Sequence, residues 1–336
     1  MLKTKEDIEN WLKLCNIKKY IINEDMSVDV TGNVLLTGLD LVEIPVKFRN
    51  VSGIFNCNNN KLTSLAGCPV SVGGNFYCND NKLVSLVGSP EYVGAGFNCS
   101  NNNLVNLIGS PVNIIGDFDC SRNKLLSLIG SPSVINGDFD CVGNELASLE
   151  YYPKTVSGNF YCNGNKLSSL EYYPIGLGGG FYCQDNYLTD LVGSPESVGG
   201  NFYCGTNRLA SLLGSPKNVV GDFACNNNQL RSLEYCPTEV LGFCCSDNIL
   251  TSLKYGPLDV GYFDCVNNEL SSLEYCPIRV EGDFLCTSNR LVESEKFLYD
   301  CKVDQIGQYY KNKNLKSNLD NQFNGGSVGK IKKAKV

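Results

Sequence analysis

The chain contains no histidine among its 336 residues. Neither a Ser-His-Asp triad nor a Cys-His pair can therefore be assembled. No apolar run approaches the roughly 18 residues that a membrane span requires. The opening stretch, MLKTKEDIENWLKLC, sets charges where a signal peptide needs an apolar core. There is no G-x-x-x-x-G-K-[ST] loop to cradle phosphates. These absences point to a soluble cytoplasmic protein without catalytic activity, membrane anchor or cofactor.

Charge is unevenly placed. The net charge is −7, but residues 311–336 hold seven lysines and one acid, Asp320, a surplus of six positive charges. The preceding body therefore stands at about −13, which repels phosphate backbones and argues against nucleic acid as a partner. The basic tail reads as a solvated, disordered segment.

Cysteine, by contrast, is abundant, with 18 residues. In a reducing compartment these are expected as free thiols. Twelve of them fall in register at positions 57, 78, 99, 120, 141, 162, 183, 204, 225, 245, 265 and 286. The spacing is 21 residues, dropping to 20 for the units ending at Cys245 and Cys265. Each unit reads F-x-C-x-x-N-x-L-x-x-L, with proline four residues on. Phenylalanine (Phe55 to Phe284), asparagine (Asn60 to Asn289) and the first leucine (Leu62 to Leu291) occur in every unit. The second leucine fails only in the last, at Ser294, and the proline runs from Pro69 to Pro277.

This pattern resembles the leucine-rich repeat, L-x-x-L-x-L-x-x-N-x-L, with Val or Ile, Phe and Cys in the first three apolar slots. Val156, Phe160, Cys162, Asn165 and Leu167 match one unit position by position. The short, proline-bearing unit looks like the bacterial effector type, and a similar Phe/Cys-rich form is common in phage-like sequences. The resemblance covers residues 34–294 and implies a solenoid with a parallel β-sheet on its concave face. Some bacterial effectors of this type carry a ligase domain, but residues 295–336 are too few to hold one.

Physical reading of a coil agrees. The alternation F-x-C turns both side chains to one face of a short strand, and stacked strands about 4.8 Å apart make a solenoid about 60 Å long. The asparagine is expected to turn inward and bond backbone groups that the turn leaves unpaired. The return arm, such as KLSSLEYYPKTVSG, is too short and too rich in Gly and Pro for a helix, so extended or turn-like backbone is expected. Both open ends need covers. Residues 1–33 read as an N-terminal helical cap: Thr4 starts it, and Ile8, Trp11, Leu12, Cys15 and Ile22 follow at helical spacing. In residues 34–44, a degenerate coil, Val34, Leu36, Leu41 and Ile44 fill the apolar slots and Leu39 replaces the asparagine. The solenoid then runs to 294, followed by a C-terminal cap helix at 295–310 (Phe297, Leu298, Cys301, Ile306, Tyr309) and the tail at 311–336.

The twelve in-register cysteines, stacked in line between phenylalanines, cannot converge tetrahedrally on zinc and read as small buried hydrophobes. Cys68, Cys236 and Cys276 precede the repeat proline, and Cys15 and Cys301 belong to the caps. Cys244 differs: alternation places it on the outer face of its strand, where a thiol could react, though no histidine exists to activate it.

With the core positions structural, function falls to the variable ones. The slots flanking Phe point out of the strand, onto the concave face. There Asp117, Asp119, Asp138 and Asp140 cluster on two adjacent strands, and Tyr161, Tyr182 and Tyr203 form an aromatic ladder, with Tyr77 in the same slot. Tyrosine supplies rigid amphipathic contact area, and carboxylates steer a basic surface. The same tyrosines also suit a strand for its own stability, and four aspartates could hold calcium. A second stripe, Tyr235, Tyr255 and Tyr275, would stack along the return arms as edge packing over the leucines. The reading is a non-enzymatic module that binds a protein through its concave face, and the phage-like resemblance implies a host or competitor protein in the cytoplasm. The rivals are a carbohydrate-binding or adhesin role and a structural spacer.

Overall fold

The computed structural model describes residues 1–293 except 175, together with 298, 305, 306, 308, 309 and 313. Each coil contributes its Phe and the next residue to a short strand, from Phe55–Asn56 in coil 1 to Phe284–Leu285 in coil 12. With Val34–Leu35 of the degenerate coil they form one thirteen-stranded sheet, parallel throughout. The register places phenylalanine on phenylalanine, so Phe160 pairs with Phe139 and Phe181. Successive rings lie 5.1–6.0 Å apart from Phe55 to Phe284. Most of these pairs are stacked, which adds roughly 0.5–1.5 kcal/mol per pair to the area each ring buries. The twelve strand cysteines are all buried beside them.

The asparagines bracket neighbouring coils. Asn165 donates from Nδ2 to the carbonyls of Cys162 and, one coil back, Cys141, both at 3.0 Å. Its Oδ1 accepts the Leu146 N–H at 3.1 Å. The same set of hydrogen bonds recurs from Asn60 to Asn289, each amide also reaching the carbonyl two residues back. A second ladder lies in the slot before the second leucine. There Ser64, Asn106, Asp190 and their equivalents each accept the N–H two residues on. That capping explains why the slot holds Ser, Asn or Asp throughout coils 1 to 11.

The return arms are extended, as expected, and most carry a second short strand around an inward Val or Ile, buried in most arms, or the half-buried Leu177. Adjacent arms pair in parallel, as Val134–Ile135 does with Thr155–Val156. Where arm turns back to front, Gly73, Gly94, Gly178 and Gly199 let the coils approach so closely that a Cβ on each would overlap the backbone carbonyl of the coil before. In the two 20-residue coils the missing residue comes out of this corner. Their front strands lengthen to Gly242–Cys244 and Tyr262–Asp264.

The N-terminal cap is a helix, Lys5–Leu14, with Thr4 Oγ1 accepting the Asp7 N–H at 3.1 Å. Ile8 and Leu12 are buried and Trp11 packs on Phe48. Ile22 does not continue the helix. The chain turns out of it at Asn16, whose φ is +56°, and Ile22 lies in a hairpin, Tyr20–Ile22 against Val28–Val30, which joins the arm sheet through Phe48–Val51. In the degenerate coil Leu39, standing where others have Asn, is exposed. At the far end Leu298 and Ile306 are buried in the core and Tyr309 packs on it. Phe297, Cys301 and most of the tail lie outside the described residues. Among the described residues no helix is long and apolar enough to cross a membrane.

Candidate functional site

The front sheet brings six of the eight sequence-derived residues around one hollow. Tyr77, Asp117, Asp119, Asp138, Asp140 and Tyr161 line a cavity of about 290 Å³, with Asn75 and Asn98. It exists because coil 3 has Gly96 where its neighbours carry Asn75 and Asp117, so one side chain is missing from the slot before Phe. Tyr182 and Tyr203 lie beyond its rim. Tyr161 and Tyr182 stack at 4.6 Å, and Tyr182 meets Tyr203 edge-on at 5.2 Å.

Both aspartate slots also serve the backbone. Ahead of Phe, Asp117 Oδ1 accepts the Asp138 N–H at 2.8 Å and Asp138 Oδ1 accepts the Asn159 N–H at 2.7 Å. Asn75 and Asn201 do the same for Gly96 and Asp222. After Phe, Asp119 Oδ1 accepts from Ser121, and Asp140 Oδ1 from the Val142 N–H at 2.9 Å. Asn56 and Asn98 make the equivalent turns. Asp119 also accepts the Asn98 amide at 2.8 Å. These donors explain how Asp119 and Asp140 tolerate direct pairing across the sheet.

Asp140 is half-buried. Burial, reinforced by the charges of Asp119 and Asp138, raises its carboxyl to about 6, against the opposing hydrogen bond from Val142 and the charge of Arg122. Burial likewise raises the phenols of Tyr161, Tyr182 and Tyr203, so these rings present neutral hydroxyls at physiological pH. Among the described residues no group of Asp, Glu and Cys is arranged to hold a metal ion.

Cys244 is only half-exposed, with Sγ 3.4 Å from Ser246 Oγ and 3.5 Å from Asp264 Oδ2. Burial raises its thiol, so its thiolate is disfavoured. The other described cysteines are free thiols too.

Sequence reading missed Tyr262. It occupies the slot before Phe, which elsewhere is mostly Asn, Asp or Gly, and its ring covers Gly242 on the neighbouring strand. Its phenol is raised by burial, then by Asp222 and Tyr203. The signal was present: coil 11 has lost a corner residue and replaced the usual polar one with an aromatic.

The arm tyrosines also differ from expectation. Tyr235, Tyr255 and Tyr275 are 53–55% exposed, and no ring contact joins them. Along with Tyr151 and Tyr172 they sit in left-handed backbone, φ +68° to +74°. Coils without this tyrosine place Gly67, Gly88, Gly109, Gly130, Gly193 or Gly214 there at φ +88° to +99°. A bulky residue in that region costs on the order of 1 kcal/mol.

The architecture is a leucine-rich-repeat fold, and solved structures of that class superpose on it. YopM, a leucine-rich effector protein from Yersinia pestis, matches with a TM-score of 0.55 at 18% identity, over 77% of this chain and 78% of that one. The leucine-rich repeat domain of APL1 matches with a TM-score of 0.51 at 14% identity, over 71% and 69%. No family model matches the sequence, and no curated protein does. At these identities the likeness establishes the fold alone.

Proposed function

We propose that the protein is a non-enzymatic binding module whose front sheet, the concave face of the solenoid, receives a basic segment of a protein partner. The observation that carries this is the hollow at Gly96, where four carboxylates converge between Tyr77 and Tyr161. A lysine or arginine side chain entering it meets negative charge below and aromatic rings at the sides, a setting that favours both ion pairing and cation–π contact. The continuing ladder to Tyr203 supplies the wider contact area that interface anchors need. The phage-like form of the repeat fits a partner belonging to a host or competitor. A sugar would need open ring faces, and the Tyr161–Tyr182 stack occupies one face of each, so the glycan reading is the weaker one.

The decisive experiment uses substitutions that the repeat already tolerates, since Asn occupies both aspartate slots in other coils. Wild type and the D117N/D119N/D138N/D140N variant are immobilised for capture from the native host, with a glycan array in parallel. The proposal expects a salt-sensitive protein partner that the variant, and Tyr161→Ala with Tyr182→Ala, retain at least tenfold less well. An identical captured set for all three proteins would favour a spacer, and binding confined to glycans would favour the rival.

A further inference from the structure

Between the second leucine and the repeat proline, where the return arm begins, each of coils 2 to 11 shows an apolar side chain to solvent. Coils are numbered here by their strand cysteine, Cys57 being coil 1. In coils 2, 3, 4, 7 and 8 the side chain is Val87, Ile108, Ile129, Val192 or Leu213, followed by the left-handed glycine. In coils 5, 6, 9, 10 and 11 the glycine is replaced by an exposed tyrosine: Tyr151, Tyr172, Tyr235, Tyr255 or Tyr275. In these the preceding slot holds Glu150, Glu171, Glu234, Lys254 or Glu274 in place of the aliphatic residue. The result is an unbroken stripe of ten half-exposed apolar side chains.

The order of the two coil types is self-complementary on reversal. Running from coil 2 to coil 11 the stripe reads three aliphatic, two tyrosine, two aliphatic, three tyrosine. Laid antiparallel on a copy of itself about an axis between coils 6 and 7, every tyrosine coil meets an aliphatic one. Tyr172 then faces Gly193, Tyr151 faces Gly214, Tyr235 faces Gly130, Tyr255 faces Gly109 and Tyr275 faces Gly88. Each protruding ring is thus set against a glycine corner, which carries no side chain of its own. Parallel in-register pairing would instead set Glu150, Glu171, Glu234 and Glu274 against their own copies, which like-charge repulsion opposes.

We propose that this stripe is the interface of an antiparallel homodimer, with a second copy of the chain as its occupant. Ten side chains about half exposed present on the order of 1,000 Å², above the roughly 800 Å² per partner of a stable interface and beyond the apolar patch a monomer ordinarily shows. A two-fold axis makes the contact isologous, so it closes at two copies. The front sheet is on another face of the coil, so this proposal stands or falls separately from the binding reading. The acidic bodies repel at long range, so salt is expected to strengthen the dimer by screening them.

Sedimentation equilibrium of the full chain tests this, at 0.05 and 0.5 M salt. The expected mass is twice the 36.7 kDa of the chain, with tighter association at high salt. Two variants borrow residues that other coils already hold in the same slots. Val192→Glu with Leu213→Glu puts acid at the centre of the stripe, and Tyr151→Gly with Tyr172→Gly removes the central rings and relieves their backbone. Both are expected to weaken association at least a hundredfold while the circular dichroism spectrum stays unchanged. Should the glutamate variant not fold, the glycine variant alone decides. A wild type that is monomeric at ~100 μM, one that assembles beyond two copies, or glycine-variant chains that remain dimeric would each overturn the proposal.

Discussion

Asp117 holds the backbone of the next coil: its Oδ1 accepts the Asp138 N–H at 2.8 Å, passing through the space where Gly137 has no Cβ. The carboxylate that looks most available for a partner is thus also a structural bracket, and charge and scaffold are separable by substitution. Asn makes this bond in coils 2, 6 and 8. Asp117→Asn is therefore expected to hold stability within ~0.5 kcal/mol of wild type. Asp117→Ala, which strands a backbone amide, should lose ~1–3 kcal/mol in urea unfolding.

The inward asparagines carry more. Asn165→Ala removes four hydrogen bonds at once and leaves the Cys162, Cys141 and Asn163 carbonyls and the Leu146 amide without this partner. A loss of roughly 2–4 kcal/mol is expected. Asn165→Asp should not rescue it, because a carboxylate cannot donate to these carbonyls. Chemical denaturation of both variants measures the effect.

Asp140 gives the fold a pH dependence with a definite sign. Its folded-state value of about 6 lies above the unfolded carboxyl at ~3.9. Between these values the folded state holds the proton more firmly, so this residue's contribution is greatest below pH ~4, falls as pH rises to about 6, and is flat above. Allowing for partial solvent screening, Asp140→Asn should gain ~1–2 kcal/mol over wild type at pH 7 and nothing at pH 4. Melting curves across that range, wild type against variant, would show the difference closing as pH falls.

Left-handed tyrosine gives a further expectation. Tyr172, at φ +71°, occupies a position where Gly193 serves one coil later. At a concentration low enough to keep the chains apart, Tyr172→Gly should melt at or above wild type, whereas Tyr172→Val, β-branched and poorly suited to positive φ, should lose roughly 2 kcal/mol. Differential scanning calorimetry distinguishes the two responses.

The period, the strand faces and the inward Phe, Cys, Asn and Leu positions were legible in the sequence, because every coil repeats the same burial at the same offset. Variable slots were harder for a physical reason. Whether Asp117 is a bracket or a ligand depends on a backbone amide 21 residues away, and nothing local distinguishes it from Asp119, which turns back on its own coil. The hollow came from a residue type, Gly96, that is informative only beside its two neighbours. Tyr151 and Tyr172 could have been recognised: they align with glycines of other coils, which marks a left-handed position whatever residue fills it. Ile22 misled because a helical spacing continued in sequence after Asn16 had already turned the chain.

The direction of the asparagine brackets gives the molecule a growth polarity. Each asparagine donates to a carbonyl of the coil before it and accepts an amide from that same coil, so a new coil completes the one already laid down. The N-terminal cap and degenerate coil supply the first such docking edge, with Leu36 O and Leu41 N–H awaiting Asn60. A chain leaving the ribosome can therefore add coils one at a time onto a finished end, without waiting for its C-terminus. Each addition is a local event of some twenty residues. For the same reason an in-frame duplication of twenty-one codons finds its donors and acceptors already in place.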